Sequence, residues 1–287
     1  KERLFHTAFA ADTGYGKSVA AERMAYETTR NFKTQTVVLD FGAGWRKMLN
    51  APGMDGHVEV WQLQPGATRP FRWNPWQVGK RIRPERQLMA TCEIFKNSGR
   101  MGERQLGYMR RAATQMWRDE GVLTFSESVL RDGKWGHVQR DEWAVLEQAW
   151  QEQGMQPRQR KHRQALRALS PAEKQALAVQ RSKRTGISKW LGILQEKLDD
   201  MNEYERTSLE GLMLRLEAFT VGGMWEMYGA GADTVAIEDL GLLGSNGDRW
   251  GISVLEGGAE MDEYSKSVIL GLVAWHLYTD AVVRDRK

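Results

Sequence analysis

The stretch "AADTGYGKS" (Ala10–Ser18) sets two glycines, a lysine and a hydroxyl close together as Gly14, Gly16, Lys17 and Ser18. This is the residue set that grips phosphates. Consecutive backbone N–H groups point at a β-phosphate, and the N-terminus of the following helix adds its partial positive charge. Glycine serves where the chain needs positive φ or a close approach to an oxygen. The lysine reaches the β- and γ-phosphates, and the hydroxyl after it binds a magnesium ion. The expected ligand is therefore ATP with Mg2+, cradled by Asp12, Thr13, Gly14, Tyr15, Gly16, Lys17, Ser18 and Val19, with Ser18 as the metal ligand. Ala11 stands where the general pattern has its leading glycine, at a strand exit where a methyl group is the smallest intrusion. The competing reading is a Gly-rich βα turn with a chance Gly-Lys-Ser, and the elements on either side of the loop favour the phosphate site.

Other residues invite weaker readings. Glu256 ends an apolar run with Glu260 and Asp262 close by, which suits either a catalytic acid near the magnesium or a solvated acid at a strand end. Pro157–Arg184 holds nine Lys or Arg against one acid, Glu173. Arg158, Arg160, Lys161 and Arg163 are its candidates for tracking a nucleic-acid backbone, against the bland reading of a solvated helix face. Arg46, Arg83, Arg249 and Arg284 are candidate arginine fingers for a neighbouring subunit's site. The twelve tryptophans, many between Trp73 and Trp225, read as core and interhelix packing rather than as stacking platforms for bases. The five histidines have no metal-ligand spacing, His6 reads as a buried strand residue, and nothing suggests a Ser-His-Asp or Cys-His arrangement.

The elements that must position the loop follow from local composition. Leu4–Ala11 is a short apolar run stopped by Asp12 and two glycines, which predicts a buried strand. Ser18–Asn31 has helix-forming composition, and Thr34–Asp40 is a β-branched run ending in a carboxylate. Strand, Gly-rich turn, helix and strand make a βαβ unit, and such units build parallel sheets. His57–Leu63 is a third strand candidate, and Pro65–Trp76, with three prolines, is an irregular connector. From Pro84 to about Met224 the chain reads as helical, and Ser170-Pro171-Ala172-Glu173 has the form of a capping box with proline at N1. Trp250–Gly258 returns to strand character, and an apolar helix follows it. The expected architecture is α/β, with residues 1–83 and 225–287 forming a parallel-sheet core and residues 84–224 a helical insertion.

Composition sets the outer bounds. The chain has 287 residues, 41% of them hydrophobic, which is enough to bury a core. The net charge of +4 is compatible with a polyanionic partner without demanding one. Cys92 is the only cysteine, so neither a disulfide framework nor a cysteine zinc site is available within the chain. There is no run of eighteen apolar residues and no signal-peptide pattern at the start, so the expectation is a cytoplasmic protein without an integral membrane segment. The first residue is Lys1 and the end is a charged helical tail, which together suggest part of a longer protein.

Taken in order, four stretches carry a family resemblance. "DTGYGKS" resembles the phosphate loop of the HerA–FtsK superfamily, which favours a Thr-Gly-x-Gly-Lys-Ser core. "VVLDFGAGWRKM" is similar to that family's second strand and Gly-containing turn, and "RWNPWQVG" to its Asn-Pro-Leu-like element before a helical insertion. "ISVLEGGAEMDEYSKSVILGLVAWHLY" resembles a later strand and helix, with Glu where relatives often have Asp. The likeness is closest to HerA helicases and to the ATPases of conjugative type IV secretion. It implies a RecA-like P-loop NTPase fold and a hexameric ring that hydrolyses ATP to translocate or unwind DNA, with a nuclease or a secretion machine as a possible partner. The alternatives are a secretion or conjugation ATPase that moves protein, and a nucleotide-binding scaffold without turnover. The family's Walker B strand with paired acids is not found before Lys287, so the resemblance implies that it lies beyond that residue or that Glu256 has taken its place.

Overall fold

Three short runs, "QTVVLD", "VEVWQL" and "GISVLEG", form the strands β1 (Gln35–Asp40), β2 (Val58–Leu63) and β3 (Gly251–Gly257). In this computed structural model the described residues are 16–42, 44–123, 138, 140–157, 159–160, 169–198, 201–220, 228, 234–243, 249–258 and 261–284. The strands make one parallel sheet in the order β1-β3-β2, so the last strand in sequence lies in the middle. A parallel pair needs a crossover that leaves the sheet, and here the crossover from β2 to β3 contains the long helical block. The candidate strand Leu4–Ala11 lies outside the described residues, as does the question of which strand it pairs with.

Every residue of β3 is buried, as a central strand covered on both faces must be. Its alternation divides two cores. Ile252 and Val254 face a cluster with Met48, Met54 and Trp250, against which Tyr26 and Trp45 pack. Leu255 faces the larger core, which also holds Leu63 of β2. Glu256 follows the same alternation as Ile252 and Val254 and thus belongs to the face with the smaller cluster.

Helix α1 (Lys17–Phe32) lies on that smaller face. Its Thr29 hydroxyl meets the Thr36 hydroxyl of β1, and its Tyr26 hydroxyl donates to the carbonyl of Pro52 at 2.8 Å. The helix ends at Lys33, in a left-handed conformation with φ 53°, and the ammonium of Lys33 sits 3.7 Å from the centre of the Trp250 ring. His57 stacks on the same indole, with ring centroids 3.7 Å apart.

The segment between β2 and β3 contributes α2 (Pro84–Ser98), α3 (Glu103–Asp119), α4 (Arg140–Glu152), α5 (Pro171–Ser182), α6 (Ile187–Glu196) and α7 (Glu203–Leu216). The α5 capping box is present as expected: Glu173 N donates to the Ser170 hydroxyl at 3.3 Å, and Ser170 N to the Glu173 carboxylate at 2.6 Å. Helix α8 (Glu263–Arg284) follows β3 and packs antiparallel to α2, with Ser267 beside Ser98 at one end and Asp280 on Arg81 at the other. By length and composition α8 is sufficient to cross a membrane. Here its Val268, Ile269, Leu272 and Val273 are buried in the larger core.

That core runs without a break from the sheet into the helical block. Trp76 of the connector meets Trp190 of α6 edge-on at 4.5 Å and Trp117 of α3 at 6.2 Å, so these tryptophans are packing residues. Asn74, fully buried, donates to the carbonyl of Thr185 at 2.6 Å and accepts from Trp76 N at 2.9 Å. The "WNPW" element is thus the joint between sheet and helices. A buried amide satisfied on both sides fixes the course of the chain where prolines deny it regular structure.

Candidate functional site

In an open parallel sheet, ligands bind beyond the carboxyl ends of the strands, where the connecting loops gather. The register brings Asp40 of β1, Glu256 of β3 and Gln62 of β2 side by side at that edge. Their roles differ. Asp40 accepts from Gly42 N at 2.9 Å and from Trp45 N at 3.0 Å, so both its oxygens fold the turn that leaves β1. Glu256 is almost fully buried and receives the guanidinium Nε of Arg46, at 2.9 Å to one oxygen and 2.7 Å to the other.

The 3-10 helix Trp45–Asn50 organises this edge. Arg46 closes on Glu256, and the next residue, Lys47, closes on Glu22 of α1 at 2.7 Å. One short turn therefore ties the central strand to the N-terminal half of α1. The Thr29–Thr36 contact ties the other half of α1 to the start of β1, so α1 runs antiparallel to β1 and its first turn points to the carboxyl edge.

Gly16 begins α1 with φ 75°, a left-handed position open to glycine and strained for other residues. It carries no side chain to cap the first turn, and no acid lies in that turn to offset the helix dipole. Lys17 is half-buried, while Ser18 and Val19 are exposed. An uncapped helix start with a half-buried lysine and an accessible hydroxyl fits a phosphate with a bound divalent cation. Asp12, Thr13, Gly14 and Tyr15 lie outside the described residues.

Of the two acids that follow Glu256 closely in sequence, Asp262 opens α8, accepting from Ser265 N at 2.9 Å and from its hydroxyl at 2.6 Å. Burial would raise this carboxyl, but the hydrogen bonds from Ser265 outweigh it and hold Asp262 below its usual range. Glu260 lies outside the described residues. Of the candidate arginine fingers, Arg46 is engaged within its own chain and Arg249 donates to the carbonyl of Leu242 at 3.0 Å. Arg83 is exposed at the N-terminus of α2.

The basic run divides. Arg181 is buried and donates to Glu142 of α4 at 2.9 and 3.1 Å, and Arg184 adds a third bond to the same carboxylate at 3.2 Å. These two charges hold α4 on α5. Arg160 turns its Nε back to the carbonyl of Met155 at 2.9 Å, which orients it without removing its charge. Arg158, Lys161 and Arg163 lie outside the described residues. Cys92 is fully buried, and burial pushes its thiol up, which makes it an unreactive core residue.

Sequence reasoning missed the partners of Glu256 and Glu22, although "WRK" directly after the Gly-containing turn was the available signal. Comparison with protein-family models and with curated proteins returns no match.

Proposed function

We propose that this chain binds ATP with Mg2+ at the start of α1 and belongs to a RecA-like P-loop NTPase of the HerA–FtsK type. In this reading it works as a ring that moves along or unwinds DNA. The observation that carries the reading is Gly16-Lys17-Ser18 at an uncapped helix start, beside the carboxyl edge of a parallel sheet. Lys17 would neutralise the β- and γ-phosphates, Ser18 would ligate Mg2+, and the loop amides from Asp12 to Val19 would hold the phosphate oxygens. Bound Mg2+ supplies charge neutralisation of the transferring phosphoryl group. Residues 84–224 are read as an insertion in the crossover from β2 to β3, with Arg158, Arg160, Lys161 and Arg163 as its contribution to a DNA path.

A second reading draws on Glu256. Arg46 engages both oxygens of Glu256 in an ion pair, which favours nucleotide binding without turnover by these residues. Turnover would then rely on an acid outside this sequence.

The test is Lys17→Ala, which removes the charge but keeps the turn. Titration with a fluorescent ATP analogue and Mg2+ should show affinity lower by roughly tenfold or more, with an unchanged melting temperature. Equal binding by mutant and parent would overturn the assignment of the loop.

A further inference from the structure

At the amino edge of the sheet, the end of α1, the loop after the 3-10 helix and the start of β3 meet around Trp250. Tyr26 reaches the carbonyl of Pro52, Lys33 lies over the indole at 3.7 Å, and His57 stacks on it with centroids 3.7 Å apart. We propose that this edge is an interaction surface for a single strand of nucleic acid. Arg30, Lys33 and Arg249 would meet its phosphates, and Phe32 would stack on a base.

The three cations are oriented without being neutralised. Arg30 donates to the Tyr26 hydroxyl at 2.7 Å, Lys33 rests on the indole, and Arg249 donates to the Leu242 carbonyl at 3.0 and 3.2 Å. All three are exposed, and among the described residues none meets a carboxylate. Of the acids nearby in sequence, Glu27 accepts from the Asn31 amide at 3.1 Å and Asp239 pairs with Lys80 at 3.2 Å. Asp55, in the loop, forms no ion pair with the three. By contrast Arg46, Lys47, Arg69 and Arg81 each close on an acid. The dipole of α1 favours cations at its last turn, which accounts for Arg30 and Lys33. It does not account for Arg249, which a separate segment brings to the same edge.

The second argument is independent of charge. Phe32, the last residue of α1, is 75% exposed, and among the described residues its ring meets no other aromatic. It follows Arg30 by two residues, roughly 200° round the helix, so the two flank the helix end across a diameter of about 10–12 Å. That span is about three nucleotides stacked at roughly 3.4 Å each. An exposed ring among cations suits unpaired bases, because every base offers a face to stack on and a duplex hides it. Phe32 lies 16 residues beyond Gly16 on α1, roughly 24 Å at the helical rise, so this surface is apart from the proposed nucleotide site.

The test is fluorescence anisotropy of the whole chain with an oligothymidylate of about twelve nucleotides, without terminal phosphates, at low salt. Binding is expected. Arg30→Gln, Lys33→Asn and Arg249→Gln together should lower the slope of log K against log salt by about 2, at roughly 0.7 per phosphate contact. Asparagine is chosen at Lys33 because it tolerates the left-handed backbone there. Phe32→Ala should weaken binding roughly tenfold with the slope and the melting temperature unchanged. If the triple variant melts early, Arg249→Gln alone should lower the slope by about 0.7. Poly-glutamate and a blunt duplex are the rival ligands. If either binds as tightly as the oligothymidylate and Phe32→Ala changes nothing, the edge serves an acidic protein or a duplex, and the proposal is overturned. Absence of oligothymidylate binding also overturns it. Binding that the charge variants and Phe32→Ala leave unchanged overturns it as well, assigning the strand to another surface and leaving the proposed ATP-driven motor untouched.

Discussion

Arg46 holds Glu256 by a single nitrogen placed between two oxygens, 2.9 and 2.7 Å away, and the two partners sit in different media. The carboxylate is 5% exposed and the guanidinium side chain 57% exposed. The pair thus bridges the interior of the sheet and the solvent at its carboxyl edge. It fixes the 3-10 helix that also reaches α1 through Lys47, so whatever moves Arg46 acts on the mouth of the proposed nucleotide site.

That asymmetry gives the first prediction. Arg46→Ala leaves a buried carboxylate without its counter-charge, whereas Glu256→Gln leaves a guanidinium largely in water. Arg46→Ala should cost about 1–2 kcal/mol and Glu256→Gln distinctly less, because the penalty falls on the group that stays desolvated. Urea unfolding midpoints of the two variants measure this. Equal costs would mean that Glu256 is better solvated than its position implies.

Glu142 carries a larger consequence. It is 1% exposed and answers two arginines, one of them buried. Glu142→Gln should destabilise the protein by roughly 3 kcal/mol, since Arg181 would keep its charge inside the fold. The same reasoning applies to any assay of the basic run: reversing Arg181 or Arg184 tests folding and says nothing of nucleic acid. Thermal unfolding of Glu142→Gln, set beside a surface variant such as Lys174→Gln, checks the point.

What the sequence revealed and what it hid both follow from the range of the interactions. The three described strands, the helix after the phosphate loop and the Ser170–Glu173 box were legible because each is decided within a few residues. The central place of β3 was not, since pairing order depends on contacts across the β2-to-β3 crossover. Arg46 and Glu256 are 210 positions apart, and no local pattern links them. Arg181 looked like one more surface charge because its neighbours are basic, and only the fold brings Glu142 against it. From sequence Asp262 reads only as an acid close to Glu256, and its spacing to Ser265 makes it the opening of a helix.

His276 sets an acid limit on stability. It is 2% exposed on α8, lies edge-on to Trp73 at 5.8 Å, and its Nε2 has no partner. Burial pulls its pKa down from 6.5 to about 4. The folded state therefore keeps the ring neutral while the unfolded chain takes up a proton below about 6.5. Stability from this group is fully present above that pH and is lost as pH falls toward about 4, on the order of 3 kcal/mol in all. His276→Phe should remove that part of the pH dependence. Stability curves of parent and variant should run parallel above about pH 6.5 and separate as pH falls toward about 4, the parent losing more. Parallel curves from pH 7 to pH 4 would mean that the ring titrates normally.

The last prediction concerns the end of β3, where Gly257 follows Glu256. A Cβ built there would lie 2.2 Å from Cδ1 and 2.8 Å from Cε1 of Phe41, the residue after Asp40. Real side chains do not approach so closely, so either the ring or the strand must move. Phe41 is partly buried against the larger core, and the turn it begins is pinned by Asp40 and by Arg46. Gly257→Ala should therefore cost about 1–3 kcal/mol by overpacking. Phe41→Ala alone loses ring packing but leaves Gly257 unstrained. In the double variant the clash is gone, so its cost should fall short of the sum of the singles by about 1 kcal/mol or more. Chemical unfolding of all four proteins closes the cycle. Costs that add to within about 0.5 kcal/mol would show that Phe41 is not what requires glycine at this position.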